Sequence, residues 1–285
     1  MKIFVIDSAG VVGHAVALYF QQQGHHVTGY SEKPFNRVNT VSGSLMDAER
    51  IGREVQQGDY DAVIYCAAIV NEAAEADKAG ALFINAYLPH FLEKITEGTK
   101  TVVVHRSTDC IFSGEKGGYT LQDLPDAKSF YARTKVLGEL VNQKDITIRT
   151  SLVGPDYNKS GNSLFNWFYN QQGEVNGFAN AIWTGLTTIE FARQIEHLLQ
   201  IKAHGLFQLV PDGAISKYEL LRLFEKYFPG NRKINRVENR RVDKSLLPED
   251  NGWDVTVPGY EAMVKDMAQW IADHKTLYTN YESTY

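Results

Sequence analysis

The order of apolar and polar positions divides the chain into short apolar runs separated by stretches of helical period. Lys2-Ile3-Phe4-Val5-Ile6 has strand character and feeds Asp7-Ser8-Ala9-Gly10-Val11-Val12-Gly13. Ala15, Val16, Leu18, Tyr19 and Phe20 then recur at helical spacing, and Gly24 ends the helix. His26-Val27-Thr28-Gly29-Tyr30 reads as a second strand. Strand, glycine turn, helix and strand in that order form a dinucleotide-binding unit. In such a turn the glycines let backbone amides approach a pyrophosphate at the positive end of the helix. Gly10, Val11, Val12 and Gly13 are therefore the expected cofactor contacts.

Asp61-Ala62-Val63-Ile64-Tyr65-Cys66-Ala67-Ala68 is a buried strand with a small-residue end, and helical periodicity follows from residue 72 to about 94. Val102-Val103-Val104-His105-Arg106-Ser107-Thr108-Asp109 is an apolar run closing on hydroxyl residues. Residues 113–119 have loop composition and lie near enough to Thr108 to help cover a substrate. A helix over 129–139 and a strand over 146–152 come next. Beyond Val153 the rhythm becomes irregular: an aromatic helix over 164–169, a helix over 189–199, a last sheet strand over 205–210 and a final helix over 260–274. Phe165, Trp167, Phe168 and Tyr169 are expected in the core. Ser216 with Glu219 opens the amphipathic helix 216–228 as a capping box. The pattern predicts an α/β protein with residues 1–152 as a parallel-sheet core, about 184–212 rejoining it, and 153–285 mainly a smaller substrate-binding cap.

Charge narrows the partners. The formal charge is −5 and the basic residues are dispersed, with Arg240-Arg241 the nearest thing to a cluster, so no nucleic acid is expected. The chain opens directly on a strand-like run and has no apolar stretch of bilayer length, which predicts no signal peptide and no membrane partner. Cys66 and Cys110 fall at or just after apolar runs, as reduced thiols of a cytoplasmic protein do. Cys110 reads either as a buried small hydrophobe or, following Thr108-Asp109, as a catalytic thiol. The histidines form no His-Glu-x-x-His pattern and the cysteines no Cys-x-x-Cys, so no metal is expected.

The chemistry centres on residues 129–139. In a helix Tyr131 and Lys135 share one face, with phenol and ammonium able to enter the same cleft. A neighbouring cation lowers a phenol pKa by roughly one to three units, toward the range useful for proton transfer. Ligands of open parallel sheets sit beyond the carboxyl ends of the strands, where Ser107, Thr108 and Asp109 are expected.

Ser107-Thr108-Asp109-Cys110-Ile111-Phe112-Ser113-Gly114, Tyr131-Ala132-Arg133-Thr134-Lys135 with Gly138-Glu139, and Arg149-Thr150-Ser151 resemble the extended short-chain dehydrogenase/reductases. Within these the chain resembles the dTDP-4-dehydrorhamnose reductase family. The likeness implies a Rossmann-type doubly wound sheet, NADP or NAD as cofactor, a nucleotide-sugar substrate and a homodimer. It implies catalytic roles for Thr108, Tyr131 and Lys135, with Tyr131 and Lys135 also meeting the cofactor. It adds Cys66, Ala67 and Ala68 as the place where a cofactor passes over small side chains. Asn85 matches an asparagine that supports the active site, beside the plainer reading of an ordinary helix residue. Asn239-Arg240-Arg241-Val242-Asp243 resembles a family segment that puts Arg241 toward substrate.

Departures from the family pattern carry their own expectations. Asp7 stands at the first glycine, either strained with its carboxylate near cofactor phosphates or capping the helix. Ser31 takes the usual ribose-binding acidic position and cannot repel a 2′-phosphate; Lys33 and Arg37 follow, which favours NADP over NAD. Ser44 replaces a family acidic residue and Leu152 a family tryptophan. Related sugar-nucleotide dehydratases carry Asp-Glu after the threonine, whereas Cys110 follows Asp109 here, so reduction is favoured over dehydration. Epimerisation and a non-catalytic regulatory role, as in the methionine adenosyltransferase regulatory subunit, stay open.

Overall fold

The structure, a computed structural model, describes residues 1–281 other than 160, 162, 239–240 and 250–251. The amino-terminal half alternates strands and helices: β1 (Lys2–Ile6), α1 (Gly13–Gln22), β2 (His26–Ser31), β3 (Asn39–Ser42), α2 (Ala48–Gly58), β4 (Ala62–Tyr65), α3 (Asn71–Ala76), α4 (Lys78–Leu82), α5 (Leu88–Ile95), β5 (Val102–Arg106), α6 (Phe130–Leu137) and β6 (Ile146–Arg149). Shorter strands then enter: β7 (Leu152–Val153), α7 (Leu164–Tyr169), β8 (Gly173–Phe178), β9 (Ala181–Trp183), β10 (Leu186–Thr187), α8 (Thr188–Gln200), β11 (Gly205–Gln208), β12 (Ile215–Ser216), α9 (Lys217–Tyr227), β13 (Arg232–Val237), β14 (Val242–Asp243) and α10 (Tyr260–Asp273).

Seven strands make one sheet in the order β11-β6-β5-β4-β1-β2-β3, every pairing parallel. This is the expected doubly wound, Rossmann-type arrangement, with the order reversing between β1 and β4. Helices on both faces explain why the central strands β1 and β4 are apolar and buried on both sides. Ile3 and Val5 pack with Val16 and Phe20 on one face, while Phe4 and Ile6 pack with Ile51, Leu88 and Leu92 on the other. Ligand chemistry in such a sheet belongs at the strand carboxyl ends beside the reversal.

The smaller strands form separate two- and three-stranded sheets around a second core. Phe165 and Phe168 of the aromatic helix lie in that core with Trp183, Phe224 and Phe228, as expected, whereas Trp167 faces solvent. β8 and β13 are not read from the sequence, since neither carries a continuous apolar run. The single helix expected over 72–94 is broken. Asp77 accepts from Gly80 N at 2.9 Å and starts a new helix, and Phe83–Tyr87 then widens into a π-turn. Among the described residues no helix is long and apolar enough to cross a membrane.

Candidate active site

α6 starts at Ser129, whose hydroxyl accepts from Ala132 N, and carries Tyr131 and Lys135 on its inner face, 5% and 0% exposed. Thr108 lies just beyond β5 on extended backbone, and its Oγ1 accepts from Cys110 N at 3.1 Å and donates to Asp109 Oδ1 at 3.2 Å. Thr108 and Tyr131 make no hydrogen bond within 3.5 Å, yet the hydroxyl is near enough to ease ionisation of the phenol. A cavity of about 540 Å³ opens here, lined by Tyr131, Cys110, Ser113, Ser129 and Lys244 among others.

The electrostatics differ from the sequence expectation. Burial pushes Tyr131 up to about 12, and the main opposing charge is the Arg106 guanidinium, not Lys135. The reason is that Lys135 is itself fully enclosed. Burial, reinforced by Arg106, holds its pKa well below the ordinary lysine value. Its Nζ donates to Arg106 O at 2.7 Å and lies 3.3 Å from His105 Nε2. Arg106 Nη2 donates to Cys66 O at 3.2 Å, which lays the guanidinium across the crevice between β4 and β5. Its buried Nε has no partner among the described residues. The sequence held a signal for this residue: Arg106 and Thr108 are two apart on extended backbone and share a side.

Ser107, Asn85 and Arg241 each find partners within the protein. Ser107 is fully buried and donates to Glu139 Oε1 at 2.6 Å, while Glu139 is clasped by Arg149 at 2.8 and 2.7 Å. Its hydroxyl therefore anchors α6 to the sheet. Asn85 is turned fully inside by the π-turn, accepts from Ile69 N at 2.9 Å, and donates to Ile69 O at 2.8 Å and Thr134 Oγ1 at 3.0 Å. It is a positioning residue, tying the exit of β4 to the helix that carries Tyr131. A side chain at Gly138 would collide with Asn85 O, so this glycine is what lets the two helices meet. Arg241 is exposed and bonded to Asp243 Oδ2 at 2.8 Å, because β14 turns Asp243 inward. Asn239 and Arg240 of that segment lie outside the described residues. Asp109 is buried, its carboxyl raised by burial against the pull of Lys217 and Lys244. Neither lysine was singled out from the sequence. Burial and Asp109 push the Cys110 thiol up to about 11, which removes it as a nucleophile.

At the glycine turn Asp7 keeps a left-handed backbone, φ 64°, where a glycine would sit without strain. Its carboxylate fills the space over Gly10 that a β-carbon would take. Burial raises Asp7 to about 6, with Arg106 pulling it down and Glu32 pushing it up. The turn is braced from the cap: Tyr157 OH donates to Ala9 O at 2.7 Å, and His14 bridges Gly10 O at 2.9 Å and Tyr278 OH at 3.0 Å. The amides of Val11 and Val12 have no backbone partner among the described residues, and Ser8 Oγ is buried without one. That set of donors fits a dinucleotide phosphate, with Asp7 opposing it and Arg106 offsetting Asp7.

The ribose end changes as well. Ser31 is 1% exposed and donates to Lys33 O at 2.5 Å, so it faces inward and not toward a ribose. Arg37 is held by Thr276 O and Oγ1, both at 3.1 Å. Lys33 and Arg37 are both exposed beside this edge, but of the two only Arg37 is held by a partner among the described residues. Cys66, Ala67 and Ala68 follow β4 directly, with Cys66 and Ala67 buried and the Cys66 thiol pushed up to about 12 by burial.

The family model for the RmlD substrate binding domain matches residues 1–241. A probable low-salt glycan biosynthesis reductase of Haloferax volcanii is 31% identical over 161 residues, covering 54% of this chain and 54% of that protein. Methionine adenosyltransferase 2 subunit beta of Rattus norvegicus is 25% identical over 143 residues, covering 48% of this chain and 41% of its own. The chain thus spans about half the length, or less, of these curated relatives. A Bacillus anthracis dTDP-4-dehydrorhamnose reductase solved in complex with NADP superposes with a TM-score of 0.78 at 20% identity, covering 93% of this chain and 98% of that one. A hypothetical dTDP-4-dehydrorhamnose reductase from Sulfolobus tokodaii gives 0.76 at 22% identity, covering 92% and 99%. At those identities the superpositions speak for the fold. The match over residues 1–241 speaks for descent, and the chain belongs to the RmlD substrate binding domain family.

Proposed function

We propose that this chain is an NAD(P)H-dependent oxidoreductase that reduces a keto group on a nucleotide-activated sugar, in the manner of a dTDP-4-dehydrorhamnose reductase. The observation that carries the reading is that Tyr131 of α6 lines a cavity of about 540 Å³ with Thr108 near enough to act on its phenol, while Lys135 stands one helical turn further along α6 and is tied to the end of β5. Family membership and the NADP held by the Bacillus anthracis structure support it. A reduced nicotinamide, when bound, supplies the hydride. The amides of Val11, Val12 and Gly13 hold its phosphates, and Lys33 is the cation that remains for a 2′-phosphate, so both NADP and NAD are retained.

Tyr131 is the proton donor. With its pKa raised to about 12 it keeps its proton at neutral pH, and the Arg106 cation stabilises the phenolate left after transfer. Thr108 hydrogen-bonds the oxygen that receives the proton, while Lys135 fixes the β5 end through Arg106 O. Residues 153–285, apart from about 184–212, are taken as the substrate-binding part. A cytoplasmic setting, supported by two unpaired thiols, and a homodimer belong to the same reading. One observation favours a second reading, a dinucleotide-binding regulator without turnover: the Asp7 carboxylate over Gly10.

Thermal melting with NADPH or NADH, followed by nicotinamide oxidation in the presence of dTDP-4-dehydrorhamnose, separates these. Cofactor at a hundred times its dissociation constant should stabilise the fold by about 2.7 kcal/mol. Stabilisation with oxidation supports the reductase, stabilisation without oxidation of any nucleotide keto-sugar supports the regulator, and no shift with either cofactor rejects both.

A further inference from the structure

His14 is a buried polar group that the proton-transfer scheme leaves unused. It is the second residue of α1, fully enclosed, with the rings of Phe35, Tyr157 and Tyr278 at 6.0, 5.0 and 5.8 Å between centroids. A phenylalanine would fill such a cage without the cost of taking two ring nitrogens out of water. The nitrogens are both in use. Nδ1 lies 2.9 Å from Gly10 O, Nε2 lies 3.0 Å from Tyr278 OH, and Trp270 Nε1 of α10 donates to that same hydroxyl at 3.0 Å.

The two ends of this series fix its direction. Gly10 O can only accept, so the imidazole proton is on Nδ1; Nε2 of the neutral ring then accepts from Tyr278 OH, whose oxygen accepts from the indole. Burial lowers His14 to about 4, which keeps the ring neutral at physiological pH. Gly10 O also accepts from His14 N at 3.0 Å, as a first-turn carbonyl directed along the helix. Gly10 O and Val11 N–H belong to one planar peptide unit and point in opposite directions. Holding the oxygen to His14 therefore turns the Val11 N–H outward from the end of α1, where it has no backbone partner among the described residues. A hydrogen bond accepted at the carbonyl also polarises that peptide and strengthens its N–H as a donor.

The far end of the series is anchored in the cap. Tyr278 belongs to the second core, Asn280 Nδ2 donates to Asp156 O at 2.9 Å, and Asp156 N donates to Tyr281 OH at 2.8 Å. We infer that Trp270, Tyr278 and His14 form a positioning relay through which the carboxyl-terminal segment aims the Val11 amide at the cofactor diphosphate. This rests on the dinucleotide reading above and adds to it that residues of the cap, far from the glycine turn in sequence, set cofactor affinity.

Calorimetric titration of the full chain with NADH and with ADP-ribose, which has the diphosphate but no nicotinamide, tests the relay. His14→Phe keeps a ring in the cage and removes the donor to Gly10 O, so both ligands should bind about tenfold more weakly. Tyr278→Phe leaves Nε2 without its donor and should weaken both by about threefold. His14→Asn places a carboxamide nitrogen where Nδ1 was, and its affinities should stay near those of the unaltered protein although the smaller side chain packs worse. Equal losses in His14→Asn and His14→Phe would make His14 a packing residue and overturn the relay, and unchanged affinity in His14→Phe or in Tyr278→Phe overturns it as well. Should a variant not fold, ring-nitrogen NMR of the unaltered chain decides: a neutral His14 with its proton on Nδ1 is expected, and a proton on Nε2 overturns the relay. Binding of neither ligand to the unaltered chain rejects the dinucleotide reading and the relay together, whereas binding that ignores these substitutions rejects the relay alone.

Discussion

The two halves of the cleft are held by different means. Around Tyr131 the supports are buried side chains: Asn85 holds the backbone of Ile69 and the Thr134 hydroxyl, Ser107 bonds Glu139, and Glu139 bonds Arg149. At the glycine turn the ligand-facing groups are backbone amides, and the bracing from Tyr157 and His14 reaches carbonyl oxygens. A side-chain scaffold fails when one member changes. A backbone scaffold tolerates a changed side chain so long as the path of the chain is kept, and Asp7, at φ 64°, keeps it. The proton-transfer half therefore follows the family pattern while the phosphate half departs from it.

The largest expected effect comes from removing the proton itself. Tyr131→Phe deletes the donor and leaves Asn85, Thr134 and Lys135 in place, so kcat should fall by about two to four powers of ten. Cofactor affinity and melting temperature should stay near those of the unaltered chain, because no described hydrogen bond to the phenol is lost. Steady-state kinetics beside a cofactor titration checks this. Turnover retained in Tyr131→Phe would show that another group supplies the proton and that the two halves are not divided as described.

Next comes the scaffold. Asn85→Ala leaves Ile69 N, Ile69 O and Thr134 Oγ1 without the partner that now serves all three. Stranding buried polar groups costs about 1–3 kcal/mol each where water cannot reach them, and a loss of about 3 kcal/mol in urea unfolding is expected. An equivalent loss of side-chain contacts at the turn, for example Tyr157→Phe with its single bond to Ala9 O, should come to about 1 kcal/mol. Equal losses at the two places would contradict the contrast between them.

How far the sequence could be read follows the same division. Tyr131 and Lys135 are visible because helical period alone puts them on one face, and the strand-end position of Thr108 follows from the apolar run before it. The inward turn of Asn85 is not visible, since it depends on the π-turn at Phe83–Tyr87, which no local propensity announces. Ser31 was misplaced because the last residue of β2 faces its own loop through Lys33 O. Arg106 was legible by its parity with Thr108. Lys217 was not, because its neighbours Trp183 and Asp109 come from distant parts of the chain. β8 and β13 escaped for a similar reason: their pairing joins Gly173 to Arg232 across the whole segment from β9 to α9, and their residues are mostly polar.

The remaining effect is the most specific to the turn and depends on pH. Asp7 has its carboxyl raised from 3.8 to about 6, so the folded chain binds the proton more tightly than the unfolded chain. Whatever favourable contribution Asp7 makes is complete below about pH 4 and is lost as the pH rises through about 6. Asp7→Gly removes this dependence and relieves the left-handed backbone. The variant should be within about 1 kcal/mol of the unaltered protein near pH 4, and more stable by about 3 kcal/mol near pH 8, as read from urea unfolding. The same charge opposes a pyrophosphate on the Val11 and Val12 amides. NADPH affinity should therefore rise about tenfold in Asp7→Gly near pH 8 and by much less near pH 5, where Asp7 is largely protonated. An Asp7→Gly chain that binds NADPH no better at either pH would mean that the carboxylate lies off the phosphate path. The turn would then owe its tolerance to distance from the ligand, not to a scaffold made of backbone.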